Sequence, residues 1–277
     1  MTRRLRTYAE VTGPDRSGLA GQVGLQRDRV RRRLVTVGAV VGVMSGKGGV
    51  GKSAVTAGLA RTLAGDEGRA IGVLDADLHG PTVARLLGAV GPVRVDGEAV
   101  HPAVGQADVR VFSSDLLLDD GHPLAWRGPD TESHVWRSTL EAGALREFLA
   151  DVAWGTLDAL LVDLPPGADR LADLAALTKL AGAVAVTLPS EESRRSVARA
   201  MRAARSAGVG LLGVVENMSG YACAGCDAVQ PLFPGDAGQA LASEFDVPLL
   251  ARIPFVPGGV ALPIPSTLTR RVLEVLA

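Results

Sequence analysis

A glycine-rich segment in the first quarter of the chain carries the residue types that bind phosphate. It reads Gly46-Lys47-Gly48-Gly49-Val50-Gly51-Lys52-Ser53 and fits the pattern G-x-x-x-x-G-K-[ST] at every fixed position. Glycines let backbone N–H groups curl around phosphate oxygens, and the N-terminus of a following helix adds a partial positive charge. We therefore predict a phosphate-binding loop in which Lys52 reaches the β- and γ-phosphates of ATP and the Ser53 hydroxyl binds Mg²⁺.

Three carboxylates follow two apolar runs that are typical of strands. Asp75 and Asp77 come after residues 71–74, and Asp163 comes directly after residues 159–162. We predict that Asp77 orients the attacking water, that Asp75 supports the Mg²⁺ shell and that Asp163 holds a Mg²⁺-bound water. Because Pro81 suits the first turn of a helix, helix capping is the alternative for Asp75 and Asp77.

A stiff turn, Leu164-Pro165-Pro166-Gly167, follows Asp163. Proline rigidity beside a flexible glycine suits a switch loop that moves as a unit. We expect the amide of Gly167 to sense the γ-phosphate, and a plain turn at the end of a strand is the alternative.

The two cysteines of the chain, Cys223 and Cys226, form a single C-x-x-C. Tetrahedral sulfur sites for zinc or iron–sulfur clusters usually need four ligands, so such a site could form here only between two chains. A homodimer with the site on its two-fold axis meets that need. A thioredoxin-like redox pair, a zinc site between subunits and a pair without function remain open.

Composition narrows the class of protein. The 277 residues are 47% hydrophobic and 21% charged with a formal net charge of −1, which argues against a disordered chain and gives no global reason to expect nucleic-acid or membrane binding. With two cysteines and no segment typical of a bilayer span, we expect a soluble, cytoplasmic protein. Charge is unevenly placed, since residues 1–33 hold nine arginines and three acidic residues.

Continuously apolar runs alternate with helical patterns along the chain. The candidate strands are residues 35–44, 70–74, 109–112, 159–162, 183–188, 211–215 and 249–253, and the candidate helices are residues 52–64, 81–87, 143–152, 171–180, 193–207, 238–245 and 267–276. Repeated β–α units predict a doubly wound, mostly parallel sheet that binds ligands at the carboxyl ends of its strands. We divide the chain into an Arg-rich N-terminal arm, residues 1–34, with a short helix over residues 25–34, and one domain, residues 35–277.

A second lysine at the start of the phosphate loop, Lys47, resembles the deviant Walker A class of P-loop NTPases. That class includes the MinD/ParA ATPases and the nitrogenase iron protein. The resemblance implies a nucleotide-sandwich homodimer in which Lys47 contacts the ATP of the opposite subunit. A solvated loop lysine is the alternative.

Six segments occur in one order along the chain: residues 45–53 (SGKGGVGKS), 75–81 (DADLHGP), 126–129 (WRGP), 163–167 (DLPPG), 216–219 (ENMS) and the cysteine pair. Together they resemble the Mrp/ApbC-type iron–sulfur cluster carrier ATPases over residues 35–256. The resemblance implies ATP binding and hydrolysis, a homodimer with a bridging 4Fe-4S cluster, and transfer of that cluster to apo iron–sulfur client proteins. It also implies nucleotide contacts from residues 46–54, Gly167 and Asn217, with Asn217 reading the adenine edge.

The chain departs from that family in several places. Ala54 stands where the family usually has Thr, Val256 replaces the usual Asp, and Gly167-Ala168-Asp169-Arg170 replaces G-T-G-D. Residues 130–141 are predicted to be an insertion. The alternative function is a MinD/ParA-like switch that positions partners on a surface. Its support would be the apolar stripe of residues 267–277, which a helix packed on the sheet explains more simply.

Overall fold

Strands and helices alternate along most of the chain. The computed structural model describes residues 19–97, 99–117, 134–223, 225, 228–258 and 262–276. In these ranges the helices are α1 (Leu19–Arg33), α2 (Lys52–Gly65), α3 (Val83–Leu86), α4 (His134–Asp151), α5 (Arg170–Leu177), α6 (Glu191–Ser206), α7 (Ala237–Glu244) and α8 (Ser266–Leu273). The strands are β1 (Val37–Met44), β2 (Ile71–Asp75), β3 (Arg94–Asp96), β4 (Ala99–His101), β5 (Ala103–Val104), β6 (Arg110–Phe112), β7 (Leu157–Asp163), β8 (Gly182–Thr187), β9 (Leu211–Ala222), β10 (Val229–Gln230) and β11 (Leu249–Phe255).

One mostly parallel sheet contains nine of the strands in the described ranges. Its order is β10-β9-β8-β1-β7-β2-β6-β5, and β11 pairs with β9. Only the short strands β5 and β10 run antiparallel to their neighbours within this described sheet. The register places Asp163 beside Val43 of β1 and beside Asp75 of β2, so the carboxyl ends of three strands meet at one edge. This is the doubly wound, mostly parallel sheet that the sequence predicts.

Two apolar layers cover the faces of the sheet, because neighbouring residues on each strand point in opposite directions. In β1, Val40 and Met44 face the layer that also contains side chains of α1, α4, α5, α6 and α7. Val41 and Val43 face the layer of α2, α3 and α8. The sheet is therefore buried on both faces, which explains its continuously apolar strands.

Strand β9 is much longer than predicted, because it continues to Ala222 rather than ending at Val215. It pairs with β8 on one side and β11 on the other, and its last residues pair with β10. Strands β8 and β11 are distant in sequence, and the nearby β10 is only two residues long, so the local pattern could not reveal this pairing. The segment 216–219 (ENMS) consequently lies within a strand.

The predicted helix over residues 81–87 is shorter in the structure, where α3 begins at Val83. Pro81 therefore lies before the helix rather than in its first turn. The amides of Thr82 and Val83 donate to the Asp75 carboxylate at 2.9 and 3.1 Å, which fixes the point at which the helix begins.

Helix α4 begins at His134, so residues 134–141 of the predicted insertion form its first two turns. The segment 126–129 (WRGP) lies outside the described residues. In the N-terminal region, α1 also begins earlier than predicted, at Leu19, and it packs against α4. Val30 is fully buried in the shared apolar layer, although the division into an arm and a domain stays a prediction.

Helix α8 packs its apolar stripe against the sheet, with Leu268 and Val272 fully buried. The prediction that this stripe belongs to a helix packed on the sheet is therefore confirmed. In the described part of the chain, no helix combines the length and the apolarity needed to cross a bilayer.

Replacing Val30 tests whether α1 contributes to the stability of the fold. Val30→Ala removes buried methyl groups, so we expect the free energy of unfolding to fall by about 1–2 kcal/mol, measured by urea denaturation. The matched control is Val35→Ala, because Val35 is 78% exposed and should lose less than about 0.5 kcal/mol. Equal losses in the two variants would show that α1 adds nothing to the core.

Candidate functional site

The glycine-rich loop connects the end of β1 at Met44 to the start of α2 at Lys52. Gly49 and Gly51 both have a φ of +78°, a left-handed conformation that turns successive N–H groups toward a common centre. Residues 47–54 line a cleft of about 310 Å³ together with Ser45, Asp77, Gly80, Thr82 and Pro166. The open cradle at a helix N-terminus fits the phosphates of a nucleotide.

Two glycines hold the loop between α6 and β9. A Cβ on Gly46 would stand 2.1 Å from the carbonyl carbon of Ser196 in α6, and a Cβ on Gly51 would stand 2.1 Å from Nδ2 of Asn217. No side chain fits at either distance. The loop is therefore enclosed on both sides by elements that come much later in the sequence.

Asp163 is fully buried below the loop, where its carboxylate receives three side-chain donors from α2. Lys52 Nζ and Ser53 Oγ donate to Oδ2 at 2.7 and 2.6 Å, and Thr56 Oγ1 donates to Oδ1 at 2.7 Å. A buried charge is tolerated only when it is paired and hydrogen-bonded. The end of β7 is thus fixed to the first turns of the helix that follows the loop.

Asp75 is also fully buried, but it has no cationic partner among the residues that the structure describes. Its Oδ2 accepts hydrogen bonds from Thr82, Val83 and Ser113, and its Oδ1 accepts one from the amide of Asp77. Burial raises the pKa of Asp75 to about 6, and the charge of Asp163 adds to the shift, which the backbone N–H donors oppose. The carboxylate therefore organises the loop after β2.

Asp77 and Lys47 both line the cleft beside the loop and are partly exposed. Asp77 Oδ1 accepts weak hydrogen bonds from the amides of His79 and Gly80, both at 3.3 Å, which leaves its other oxygen available to the cleft. Within the described ranges, no carboxylate pairs with the Lys47 ammonium group. Both side chains can therefore reach a ligand or a second subunit.

Two groups that are predicted to contact nucleotide are engaged with the loop itself. The amide of Gly167 donates to the carbonyl of Ser45 at 3.2 Å. Asn217 Nδ2 donates to the carbonyl of Val50 at 2.9 Å, and the Asn217 side chain is almost fully buried. Any contact of Gly167 N–H with a phosphate requires this bond to Ser45 to open.

Glu141 of α4 connects the loop that follows β2 to the first residue of α5, which directly follows the loop after β7. Its Oε1 lies 2.8 Å from Nε2 of His79, and its Oε2 pairs with the guanidinium of Arg170. The Glu141 side chain is only 13% exposed, so these contacts are partly shielded from water. A residue that was predicted to belong to an insertion thus joins both carboxylate loops.

Cys223 directly follows β9 and is half-buried, and its amide donates to the carbonyl of Ala228 at 3.0 Å. Cys226 lies outside the described residues. Among the residues whose side chains are described, no group of three or more His, Cys, Asp or Glu residues could hold a metal ion. The surrounding surface is apolar, with Val229, Phe255 and Val256 exposed and Tyr221 stacked on Phe255 at 6.5 Å between ring centroids.

Comparison with known proteins identifies the family. The description "ParA: NUBPL iron-transfer P-loop NTPase" matches residues 36–135 and 130–261. The iron–sulfur cluster carrier protein of Methanocaldococcus jannaschii is 37% identical over 247 residues, which cover 88% of this chain and 80% of that protein. The chain belongs to the NUBPL-type P-loop NTPase family.

Solved structures agree with that assignment. A nucleotide-binding protein from Archaeoglobus fulgidus, solved in complex with ADP, is 34% identical to this NUBPL-type NTPase. The match covers 90% of this chain and 91% of that chain, with a TM-score of 0.67. The cell-division ATPase MinD of Pyrococcus furiosus is 23% identical with a TM-score of 0.51 over 86% of this chain and 89% of its own, and it shares the fold. The predicted family and the predicted P-loop fold class are confirmed.

The NUBPL-type NTPase brings most of its predicted nucleotide residues to one edge of the sheet. These are residues 46–54, Asp75, Asp77, Asp163, Gly167 and Asn217. Their individual roles stay predictions, as do those of Cys223 and Cys226. Sequence reasoning missed Thr56, although its spacing of four residues from Lys52 places both side chains on one face of α2.

Thr56→Val tests the dependence of Asp163 on the missed hydroxyl group. The variant keeps the shape of the side chain but removes a donor to a buried carboxylate, so we expect a loss of about 2 kcal/mol in the free energy of unfolding. Urea denaturation measures the loss. Thr56→Ser keeps the hydroxyl and should lose less than half as much; the same loss in both variants would contradict this role.

The raised pKa of Asp75 predicts a pH dependence of stability. Because its ordinary pKa of 3.8 rises to about 6 in the folded protein, the folded state binds more protons between these values. The contribution of Asp75 is therefore most favourable near pH 4 and is lost as pH rises through about 6. The free energy of unfolding of the wild type, minus that of Asp75→Asn, should fall by on the order of 2–3 kcal/mol between about pH 4 and pH 7.

The control for this measurement is Asp66→Asn, because Asp66 is exposed at the end of α2. The fall with pH should be clearly larger for Asp75→Asn than for this variant. A difference that does not change with pH for Asp75→Asn would show that its carboxyl titrates alike in the folded and unfolded states.

Proposed function

We propose that this chain binds and hydrolyses ATP and carries an iron–sulfur cluster, held by its cysteines, to apo iron–sulfur client proteins. The main support is that one strand, β9, extends from the phosphate loop to the first cysteine. In β9, Asn217 contacts the phosphate loop, and the strand ends at Ala222, immediately before Cys223. Membership of the NUBPL-type family and similarity to a protein named as an iron–sulfur cluster carrier support the same function.

Different residues of the loop bind different parts of ATP and its metal ion. Amides of residues 46–54 donate to phosphate oxygens, and the Lys52 ammonium, now 2.7 Å from Asp163, turns toward the β- and γ-phosphates. The Ser53 hydroxyl, together with Asp163 and Asp75, would hold Mg²⁺ at this edge of the sheet. When bound, Mg²⁺ neutralises charge on the phosphate oxygens.

Hydrolysis requires a water molecule in line with the γ-phosphate. Asp77 has a carboxylate oxygen directed to the cleft and orients that water. Lys47, which is unpaired by carboxylates in the described part of the chain, contacts the phosphates bound by a second subunit. The amide of Gly167 exchanges the carbonyl of Ser45 for the γ-phosphate, so the turn after β7 moves when ATP binds.

The cluster is cargo in this proposal. Two cysteines per chain supply four thiolates in a homodimer, which is the number that a 4Fe-4S cluster needs. Exposed Val229 and Phe255 beside Cys223 give the two copies apolar surface to bury. Thiolate ligands stay reduced in the cytoplasm, where we place the protein.

Anaerobic cluster reconstitution tests the proposed function. We expect roughly two irons and two sulfides per chain in a dimer, because four thiolates would hold one four-iron cluster. The Cys223→Ser/Cys226→Ser variant should bind neither. Iron and sulfide analysis, visible absorbance and the mass of the assembly measure these outcomes.

Asp77→Asn is the matched control, because it should abolish ATP turnover while leaving the buried Lys52–Asp163 pair and the iron content unchanged. Bound zinc, or no metal in the wild type, would contradict the carrier function. The chain would then be a nucleotide-dependent dimerisation switch of the MinD/ParA kind, which requires only the loop residues.

A further inference from the structure

Met218 in the middle of β9 has a backbone conformation that L-residues rarely adopt. Its φ is +53°, whereas a strand requires extended residues. A left-handed conformation costs an ordinary side chain about 1–2 kcal/mol. It persists only where the surrounding structure determines it, and such residues concentrate at functional sites.

The strain at Met218 coincides with a bulge in the pairing of β9 with β11. Ile253 lies opposite Asn217, but Phe255 lies opposite Tyr221, so two steps along β11 match four steps along β9. Extra residues in one strand bend it and re-aim the residues that follow. The residues that follow this bulge lead directly to Cys223.

The strand is anchored immediately before the bulge. Glu216 is almost fully buried, and its Oε2 accepts a hydrogen bond of 2.6 Å from the amide of Gly238 at the start of α7. Its Oε1 lies 3.3 Å from the guanidinium of Arg252 in β11. These contacts hold the strand at Glu216, on the side of the bulge away from the cysteines.

The opposite face of the same segment contacts the phosphate loop. Asn217 Nδ2 donates to the carbonyl of Val50, and the Met218 methyl carbon lies 3.8 Å from the position of a Cβ on Gly51. The carbonyl of Val50 and the N–H of Gly51 belong to one planar peptide unit. A phosphate that binds this N–H and the Asn217 side chain would therefore hold the two ends of one rigid unit.

We infer that Met218 is a positioning residue whose strained bulge transmits the nucleotide state of the loop to the cysteine loop within a single subunit. Nucleotide binding turns the Val50–Gly51 peptide, Asn217 follows it, and the bulge at Met218 converts this shift into a change in the direction of the chain toward Cys223. This inference rests on the proposed function, in which the connection would adjust how tightly the cysteines bind the iron–sulfur cluster.

The test measures cysteine alkylation in the metal-free, reduced protein, so it needs no cluster. Iodoacetamide labelling is followed by mass spectrometry with and without saturating Mg²⁺ and a non-hydrolysable ATP analogue. We expect the analogue to change the labelling rate of the wild type by about threefold or more. Met218→Gly removes the strain and makes the joint flexible, so its rate should change by less than about 1.5-fold.

Two further variants separate this role from a general effect of strain or packing. Met218→Leu keeps the Cβ and an apolar side chain, so it should preserve the response to the analogue. Asp246→Gly removes a similar left-handed residue, with φ of +46°, from the turn after α7, and it should also preserve the response. Saturation with the analogue is verified for each variant by direct binding.

A wild-type protein whose labelling rate ignores the analogue would overturn the inference, as would a full response in Met218→Gly. Loss of the response in Asp246→Gly would do the same, because the effect would then not depend on the bulge. None of these results changes the iron content after reconstitution, so failure of the inference is distinguishable from failure of the proposed function.

Discussion

The buried carboxylate of Asp163 is the interaction on which the rest of the site depends. Removing a carboxylate from water costs several kcal/mol unless charge and hydrogen bonds replace the water. Lys52, Ser53 and Thr56 supply that replacement from one helix, so the end of β7 and the start of α2 are fixed to each other. The glycine-rich loop runs from the end of β1, which pairs with β7, to this fixed start of α2.

Because of Asp75, this edge of the sheet has two buried carboxylates but only one buried cation among the described residues. Asp75 lies beside Asp163 in the register of β2 and β7, but the single buried cation, among the described residues, pairs with Asp163. Backbone N–H groups and the Ser113 hydroxyl donate to Asp75, but no cation in the described part of the chain does, and burial therefore raises its pKa to about 6. An edge with more carboxylate charge than cationic charge supports the proposed binding of a divalent metal ion together with nucleotide.

The sequence predicted the features that depend on residues close together in the chain. The loop was recognisable from glycine and lysine spacing, and the parallel strands from continuous apolar runs. The end of β9 was predicted wrongly, since its last residues pair with β11, which lies far along the chain, and with β10, which is only two residues long. Thr56 was missed because the phosphate-loop pattern ends at Ser53. Likewise, the many arginines of α1 obscured the apolar face that includes Val30.

Two departures from the family pattern, at Arg170 and at Glu141, contact each other in the structure. Arg170 replaces an acidic residue of the usual G-T-G-D segment, and Glu141 lies at the end of the predicted insertion. In the structure the two side chains form an ion pair, and Glu141 also contacts His79. Separated by 29 positions in the sequence, they could not be connected without the fold. The chain therefore holds its two carboxylate loops with a contact made from residues that seemed unrelated.

The order of segments along β9 has a physical explanation in this geometry. A strand advances about 3.3 Å per residue, so the six steps from Asn217 to Cys223 span at most about 20 Å. The bulge at Met218 shortens that distance further and bends the path. The glycine-rich loop and Cys223 are thus joined within one chain by a short segment of a single strand. The same segment packs closely on Gly51 at one end and leads into Cys223 at the other, and the strained residue Met218 lies between the two.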